Sequence, residues 1–473
     1  MAALWVLAGA DASSAYATAM DRRSFVRVGA LSMAAGWSLP RWPRSLADLP
    51  RPSAAQVTWQ RDELAMFLHF GVNTFTDREW GDGKEDPAIF DPARLDARQW
   101  ARTAKAAGFR AMILTAKHHD GFCLWPTATT RHSVANSPWR GGAGDVVREF
   151  VDACAAEGLR AGLYLSPWDR NHPSYGDSPA YNDVYVTQLT ELLTRYGPIA
   201  EVWFDGANGE GPNGRRQVYD WPRVFGTVRR LQPAAIIFSD AGPDVRWCGN
   251  ERGVAGDPNW STVDPKVVSY PGQSGSAVEP ALQHGDEDGA VWRPAEVDVS
   301  IRPGWFYHPT EDEKVRAVDN LTDLYFTSVG RNAKLLLNVP PTRDGLIHPT
   351  DAARLADFRA RREVLFGAAL DLRRVSFRPL QQGGARIEWE LDRPARPRIA
   401  RLAEDITRGQ RVASYRIEGS QGGQWRELST GSTIGHAKLD RLPDGPLLRR
   451  VRVVIVEWID KPEPVSLQLF EAT

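Results

Sequence analysis

The sequence predicts an α/β protein built as a (β/α)8-type, TIM-like barrel followed by an antiparallel β-sandwich. Three observations carry that prediction. From about Arg61 to Gly367 short apolar runs alternate with amphipathic helical patterns, and such alternation means parallel strands under covering helices. Seven or eight of these units over residues 61–367 match the size of a closed eight-stranded barrel. Beyond Gly367 the helical periodicity stops and strand-like segments separated by Gly-rich breaks take over. A doubly wound open sheet is the alternative, but no G-x-G-x-x-G follows the first strand.

Taken in order, the first strand is expected over residues 66–74. A helix follows over 96–108, with Asp96 as N-cap and Gly108 as its stop. Strand 110–116, helix 145–158, strand 160–165 and helix 180–196 come next, the last closed by Gly197-Pro198. Strand 199–204 leads to helix 223–231 and strand 235–239. Residues 242–294 read as a long loop holding Trp247, Trp260 and Trp292; it is expected over the catalytic face, since loops of this length tend to be functional. Strand 297–302, helix 311–329, strand 334–339 and helix 351–365 complete the barrel. Residues 374–473 form the sandwich, read as packing support for the barrel, with carbohydrate binding as the alternative.

The composition is ordinary for a globular protein, 42% hydrophobic and 25% charged, and 473 residues suggest two or three domains. A net charge of -1 without a long run of one sign gives no electrostatic case for nucleic acid or an acidic membrane surface. Three cysteines, Cys123, Cys154 and Cys248, make no framework and no C-x-x-C, which argues against zinc or redox chemistry. Residues 1–47 read as a twin-arginine export signal. Arg22-Arg23 precedes an apolar stretch over 28–39, and Ser45-Leu46-Ala47 offers a small-residue cleavage site; either Met1 or Met20 serves as start. The apolar stretch is too short for a permanent membrane anchor, so a soluble protein exported to the periplasm or beyond is expected.

Polar groups gather at strand ends, where a parallel barrel places its catalytic groups. His69 closes the first strand and Glu79-Trp80 follow in its loop. Lys117-His118-His119-Asp120-Gly121-Phe122 closes the second, Tyr164 and Ser166-Pro167-Trp168 the third, and Trp203-Phe204-Asp205-Gly206 the fourth. Asp205 alone reads equally as a turn residue before glycine; the four strand ends together point to one shared site. A metal held by His118, His119 and Asp120 is disfavoured. Neighbouring strand residues point to opposite faces and no spaced ligand motif is present. Imidazoles that hydrogen-bond sugar hydroxyls are the better role. A retaining glycosidase needs a nucleophile and an acid/base about 5 Å apart. Asp205 is the nucleophile candidate. Glu251 is the acid/base candidate, with Trp247 nearby to desolvate it, Glu279, Glu287 and Glu296 as rivals, and a solvated loop residue as the plain alternative.

The ordered set Phe67-Leu68-His69-Phe70-Gly71, Glu79-Trp80, Lys117 to Phe122, Tyr164-Leu165-Ser166-Pro167 and Trp203 to Gly206 resembles the α-L-fucosidases of glycoside hydrolase family 29. The resemblance spans roughly residues 61–367. It implies metal- and cofactor-free removal of terminal fucose by double displacement, with Asp205 as nucleophile and a fucosylated oligosaccharide as substrate. It implies that His69, Glu79, Trp80, His118, His119 and Tyr164 hold the sugar, and that Phe67, Tyr164, Trp203 and Trp305 enclose its C6 methyl. Trp247-Cys248-Gly249-Asn250-Glu251 and the stretch from Asp298 to His308 resemble the branch that cleaves α-1,3 and α-1,4 linkages in Lewis-type glycans, which implies Glu251 as acid/base. Broader linkage specificity, another barrel glycosidase, a metal-dependent hydrolase and a non-catalytic fucose-binding lectin are the competing readings.

Overall fold

The computed structural model describes residues 49–381, 383–460 and 463–471. The expected export signal lies outside them. Helix α1 (Ala54–Arg61) is started by a Ser53–Gln56 capping box and leads into β1 (Leu64–Leu68). The chain then runs through α2 (Val72–Thr76), α3 (Ala97–Ala106), β2 (Ala111–Lys117), α4 (Val146–Glu157), β3 (Arg160–Leu165), α5 (Ser178–Arg195), β4 (Glu201–Trp203), α6 (Trp221–Leu231), β5 (Ile236–Ser239) and β6 (Val245–Trp247). A small ribbon, β7 (Thr262–Val263) with β8 (Val291–Trp292), brackets α7 (Val278–His284). Then come β9 (Ala295–Ser300), α8 (Val318–Thr327), β10 (Lys334–Asn338) and α9 (Pro349–Phe366).

Strands β1 to β6, β9 and β10 form one closed parallel barrel, shut by the pairing of Leu64 with Leu335 and Ala65 with Leu336. Its strands are buried on both faces, as the near-continuous apolar runs require. The N-cap read from sequence operates, Asp96 accepting from the Gln99 amide, and Asp145 caps α4 in the same way by accepting from the Arg148 amide.

Three expectations need correction. The first strand stops at Leu68 rather than Thr74, and residues 72–76 turn into α2. The helix expected over 311–329 is a 3₁₀ turn, Pro309–Lys314, and then α8. The long loop over 242–294 contains the sixth barrel strand. Phe238 of β5 pairs in parallel with Val245, only seven residues on, so no covering helix separates these strands. Such short parallel connections are unusual; this one works because β6 enters level with the end of β5 and the chain has little distance to return. The rest of the segment is anchored by buried Arg246, which donates to the Leu282 carbonyl at 3.0 Å and to Asn259 Oδ1 at 2.8 Å. Trp292 is buried and donates to Gln60, and Trp260 is buried too, so these two indoles serve packing.

The C-terminal part has a five-stranded antiparallel sheet built from β11 (Leu372–Pro379), β12 (Ala385–Ala395), β14 (Val412–Gln421), β15 (Gln424–Gly431) and β17 (Leu448–Trp458). A three-stranded sheet of β13 (Ile399–Ala403), β16 (Lys438–Arg441) and β18 (Ser466–Phe470) faces it. Ile399, Ala437, Leu439 and Phe470 join the barrel's apolar core, and Lys438 pairs with Asp257 at 2.8 Å, so this part packs directly on the barrel.

Candidate active site

The candidate side chains named from the sequence converge at the carboxyl ends of the barrel strands. Asp205 follows β4 and its side chain keeps 28% of its surface, enough to meet a substrate. Its Oδ2 accepts a hydrogen bond from the Tyr164 hydroxyl at 3.0 Å, and its Oδ1 accepts from the Ala207 amide at 2.7 Å. Gly206 has no room for a side chain, because a Cβ there would strike the Asp240 carboxylate and the Gly272 backbone. The glycine therefore lets the segment after the nucleophile candidate lie against residues 240 and 272.

Three buried imidazoles cluster on this side of the site, with His119 facing the carboxylate and His118 packed against His69 and His119. His119 Nδ1 lies 2.7 Å from Ser166 Oγ, whose own proton goes to the Trp168 carbonyl at 2.7 Å. Nδ1 therefore carries the proton and Nε2, 3.8 Å from Asp205 Oδ2, is an acceptor. His69 is oriented in the same way by Asn338. That amide gives its hydrogens to Ser300 Oγ and the Trp305 carbonyl, and turns its oxygen to His69 Nδ1 at 2.9 Å. Burial holds His69 and His119 down to a pKa of about 4 and pushes His118 well below its usual value, so all three are neutral at pH 7. His118 and His119 pack with ring centroids 4.1 Å apart. The expectation that adjacent histidines diverge fails because β2 ends at Lys117 and both lie in the turn beyond it. Among the described residues no group of three or more His, Cys, Asp or Glu is arranged to hold a metal ion.

The aromatic side chains form the floor and one wall. Phe67 lies 5.3 Å from Trp203, 5.9 Å from Tyr164 and 6.4 Å from Trp305, centroid to centroid. Trp80 stands at the rim, edge-on to His119 and Trp168. Glu79 accepts from the backbone amides of Trp305 and Phe306 at 2.8 and 3.1 Å and meets His308 Nε2 at 2.6 Å. It thus docks the β9–α8 loop, a role the sequence did not suggest.

Glu251 follows β6 on the same face. The Trp305 indole donates to its Oε2 at 3.3 Å. Although the side chain reaches solvent, crowding and then the Asp205 carboxylate push its pKa up, against the opposing pull of the Trp305 N–H. Trp247, expected beside Glu251, instead donates to Asp298 Oδ1 at 2.7 Å. Buried Asp298 is held well above the usual carboxyl range by desolvation and by Glu251. The rival Glu296 is in the barrel interior, and Glu279 lies on α7. Asp298 and Asn338 were missed; Asn338 ends a strand, as Asp205 does, and the same signal could have found it.

The alpha-L-fucosidase family model matches residues 45–360, more than half of the chain. The chain belongs to the alpha-L-fucosidase family. This glycoside hydrolase is 43% identical to alpha-L-fucosidase 1 of Arabidopsis thaliana over 444 residues, covering 87% of this chain and 86% of that one. A crystal structure of a glycoside hydrolase 29 family member from an unknown rumen bacterium superposes with a TM-score of 0.83 at 41% identity, covering 91% of the enzyme and 78% of that chain. A Ruminococcus gnavus GH29 fucosidase in complex with fucose gives a TM-score of 0.80 at 30% identity, over 90% and 95% of the two chains. The barrel with its C-terminal antiparallel sheets is thus the family's architecture.

Proposed function

We propose that the enzyme is a retaining exo-α-L-fucosidase in which Asp205 is the nucleophile and Glu251 the general acid/base. The observation that carries this reading is the contrast between two carboxyls at one site. Both Asp205 oxygens accept hydrogen bonds, whereas crowding and the Asp205 charge bias Glu251 to keep a proton. A hydrogen-bonded carboxylate beside a carboxyl biased to keep its proton is the pairing that a nucleophile and an acid need. In the first step an Asp205 oxygen bonds to the anomeric carbon as the glycosidic bond breaks, and Glu251 gives its proton to the leaving oxygen. In the second, Glu251 takes a proton from water, whose oxygen displaces Asp205.

Fucose hydroxyls donate to the Nε2 acceptors of His69 and His119, and the Phe67, Tyr164, Trp203 and Trp305 rings face the C6 methyl. A methyl pocket discriminates by only about 1–3 kcal/mol, so the hydroxyl contacts set most of the sugar identity. We read the preferred substrates as α-1,3/1,4-fucosylated, Lewis-type oligosaccharides. The two stretches behind that reading touch twice, Trp247 to Asp298 and Trp305 to Glu251, and build one wall beside the leaving-group position. The test is fucose release from a Lewis-type trisaccharide and from 2′-fucosyllactose, with Asp205→Gly as control. Release from the Lewis substrate alone supports the linkage reading; release mainly from the α-1,2 substrate discards it. We also propose export through the twin-arginine signal; fractionation that finds the intact chain in the cytoplasm contradicts it.

A further inference from the structure

Three charged side chains meet inside the barrel, beneath the site. Glu201 opens β4, Glu296 lies in β9 and Lys334 opens β10; they are 2%, 0% and 1% exposed. Lys334 Nζ donates to Glu201 Oε2 at 3.0 Å and lies 3.4 Å from Glu296 Oε1. The Trp59 indole of α1 adds a second hydrogen bond to Glu201 Oε2 at 2.9 Å, and its ring lies 4.6 Å from the ammonium. On the other side the Trp203 indole donates to Glu296 Oε2 at 3.1 Å.

This leaves Glu201 Oε1 and Glu296 Oε1 buried and without hydrogen-bond partners. Two carboxylates against one ammonium would also leave a net negative charge in an apolar interior, which is costly. Arg160 on β3 is the other cation near Glu201, and it is paired with Asp62. A single proton shared between the two carboxyls removes both problems, and Lys334 Nζ, 3.0 Å from one and 3.4 Å from the other, holds them side by side. It belongs on Glu296, since Glu201 already receives the ammonium and an indole N–H on one oxygen.

We propose that Glu296 carries a proton at neutral pH, donates it to Glu201, and in that neutral form is a positioning residue for Trp203 and for the short strand that leads to Asp205. The mechanical link is visible. Trp203 stacks on Phe238 at 4.0 Å and on Tyr164 at 5.2 Å, and Tyr164 donates to Asp205. The catalytic consequence rests on the role proposed for Asp205; the stability consequence does not. Burial raises the Glu296 carboxyl well above its usual range, so between the unfolded pKa and the raised folded one the folded state holds one proton more than the unfolded state. Stability from this group is therefore lost as pH rises, tenfold in the folding constant per pH unit.

The test is urea unfolding of the full chain from pH 6 to 10, with kcat/KM read at the same pH values. Glu296→Gln keeps an oxygen for the Trp203 N–H and an N–H for Glu201 but has no proton to lose. It should keep kcat/KM within about twofold at pH 7 and remove the one-proton slope from the stability curve. Glu201→Gln should remove the same slope by letting Glu296 ionise against Lys334. Glu296→Ala should lose tenfold or more in kcat/KM. An unchanged slope in both glutamine variants, failure of Glu296→Gln to fold at neutral pH, or a large kcat/KM loss in it would overturn the proposal. If the slope disappears while every variant, including Asp205→Gly, leaves fucose release unchanged, the proton stands and the proposed role of Asp205 falls.

Discussion

Replacing Trp305 by Phe removes one N–H and leaves a ring against Phe67 and His69. The lost bond is the 3.3 Å contact from the indole to Glu251 Oε2. That N–H favours the ionised carboxylate, so its removal favours the acid and moves the Glu251 pKa upward. A hydrogen bond to a charged group contributes about 1.5–3 kcal/mol. Glu251 faces solvent and the bond is long, so the discounted figure is about 1 kcal/mol, or roughly 0.7 pH unit. With Glu251 as the proposed proton donor, the alkaline limb of the kcat/KM profile should move up by that amount in Trp305→Phe. The limb should vanish in Glu251→Gln, with most of the activity. The assay is kcat/KM against pH on a Lewis-type substrate, with circular dichroism confirming the fold at each pH. An alkaline limb that stays in place or moves down refutes the assignment of the proton donor.

The other expectations are briefer. Asp298→Asn should preserve activity at pH 7, since Asn offers the same oxygen to the Trp247 N–H as the neutral acid does, whereas Asp298→Ala should lower kcat/KM on the Lewis substrate; equal losses in the two contradict this. Asn338→Leu strands the His69 Nδ1–H and should cost about 1–3 kcal/mol in urea unfolding while raising KM. The buried histidines should weaken the fold in acid, while Asp120 and Glu404, raised to about 7, and Asp240, raised to about 6, act in the opposite sense. His69, His119 and His132 fold with pKa values of about 4 against 6.5, so the unfolded chain takes up their protons first and the stability they contribute falls as pH drops from 6.5 towards 4, by up to about 2 kcal/mol each at pH 5. A His132→Phe variant whose midpoint changes between pH 7 and pH 5 by as much as the parent's would contradict it.

The parts legible in the sequence are those governed by local rules. Strand-end positions of His69, Tyr164 and Asp205 and the N-cap Asp96 follow from periodicity and short-range hydrogen bonding. β6 was hidden because it has only three residues and lacks a helix on its β5 side, so the alternation that marked the other strands was absent. The partner of Glu251 was misassigned for a related reason. Trp247 is its neighbour in sequence, but β6 ends between them and turns the indole towards Asp298 of β9, while Trp305 arrives from a loop docked by Glu79. Glu201, Glu296 and Lys334 were invisible as a group because each is a single polar residue in a separate strand, and only barrel closure brings them together.

The most direct test of the mechanism is azide rescue on an activated aryl α-L-fucoside, with the anomer of the fucosyl azide read by proton NMR. With Asp205→Gly, azide should occupy the empty nucleophile position and give the β-anomer; with Glu251→Ala it should attack the glycosyl-enzyme and give the α-anomer. That pair of opposite products is the result predicted for a retaining enzyme with these two residues in these roles. The same anomer from both variants, or an α-azide from Asp205→Gly, would contradict it.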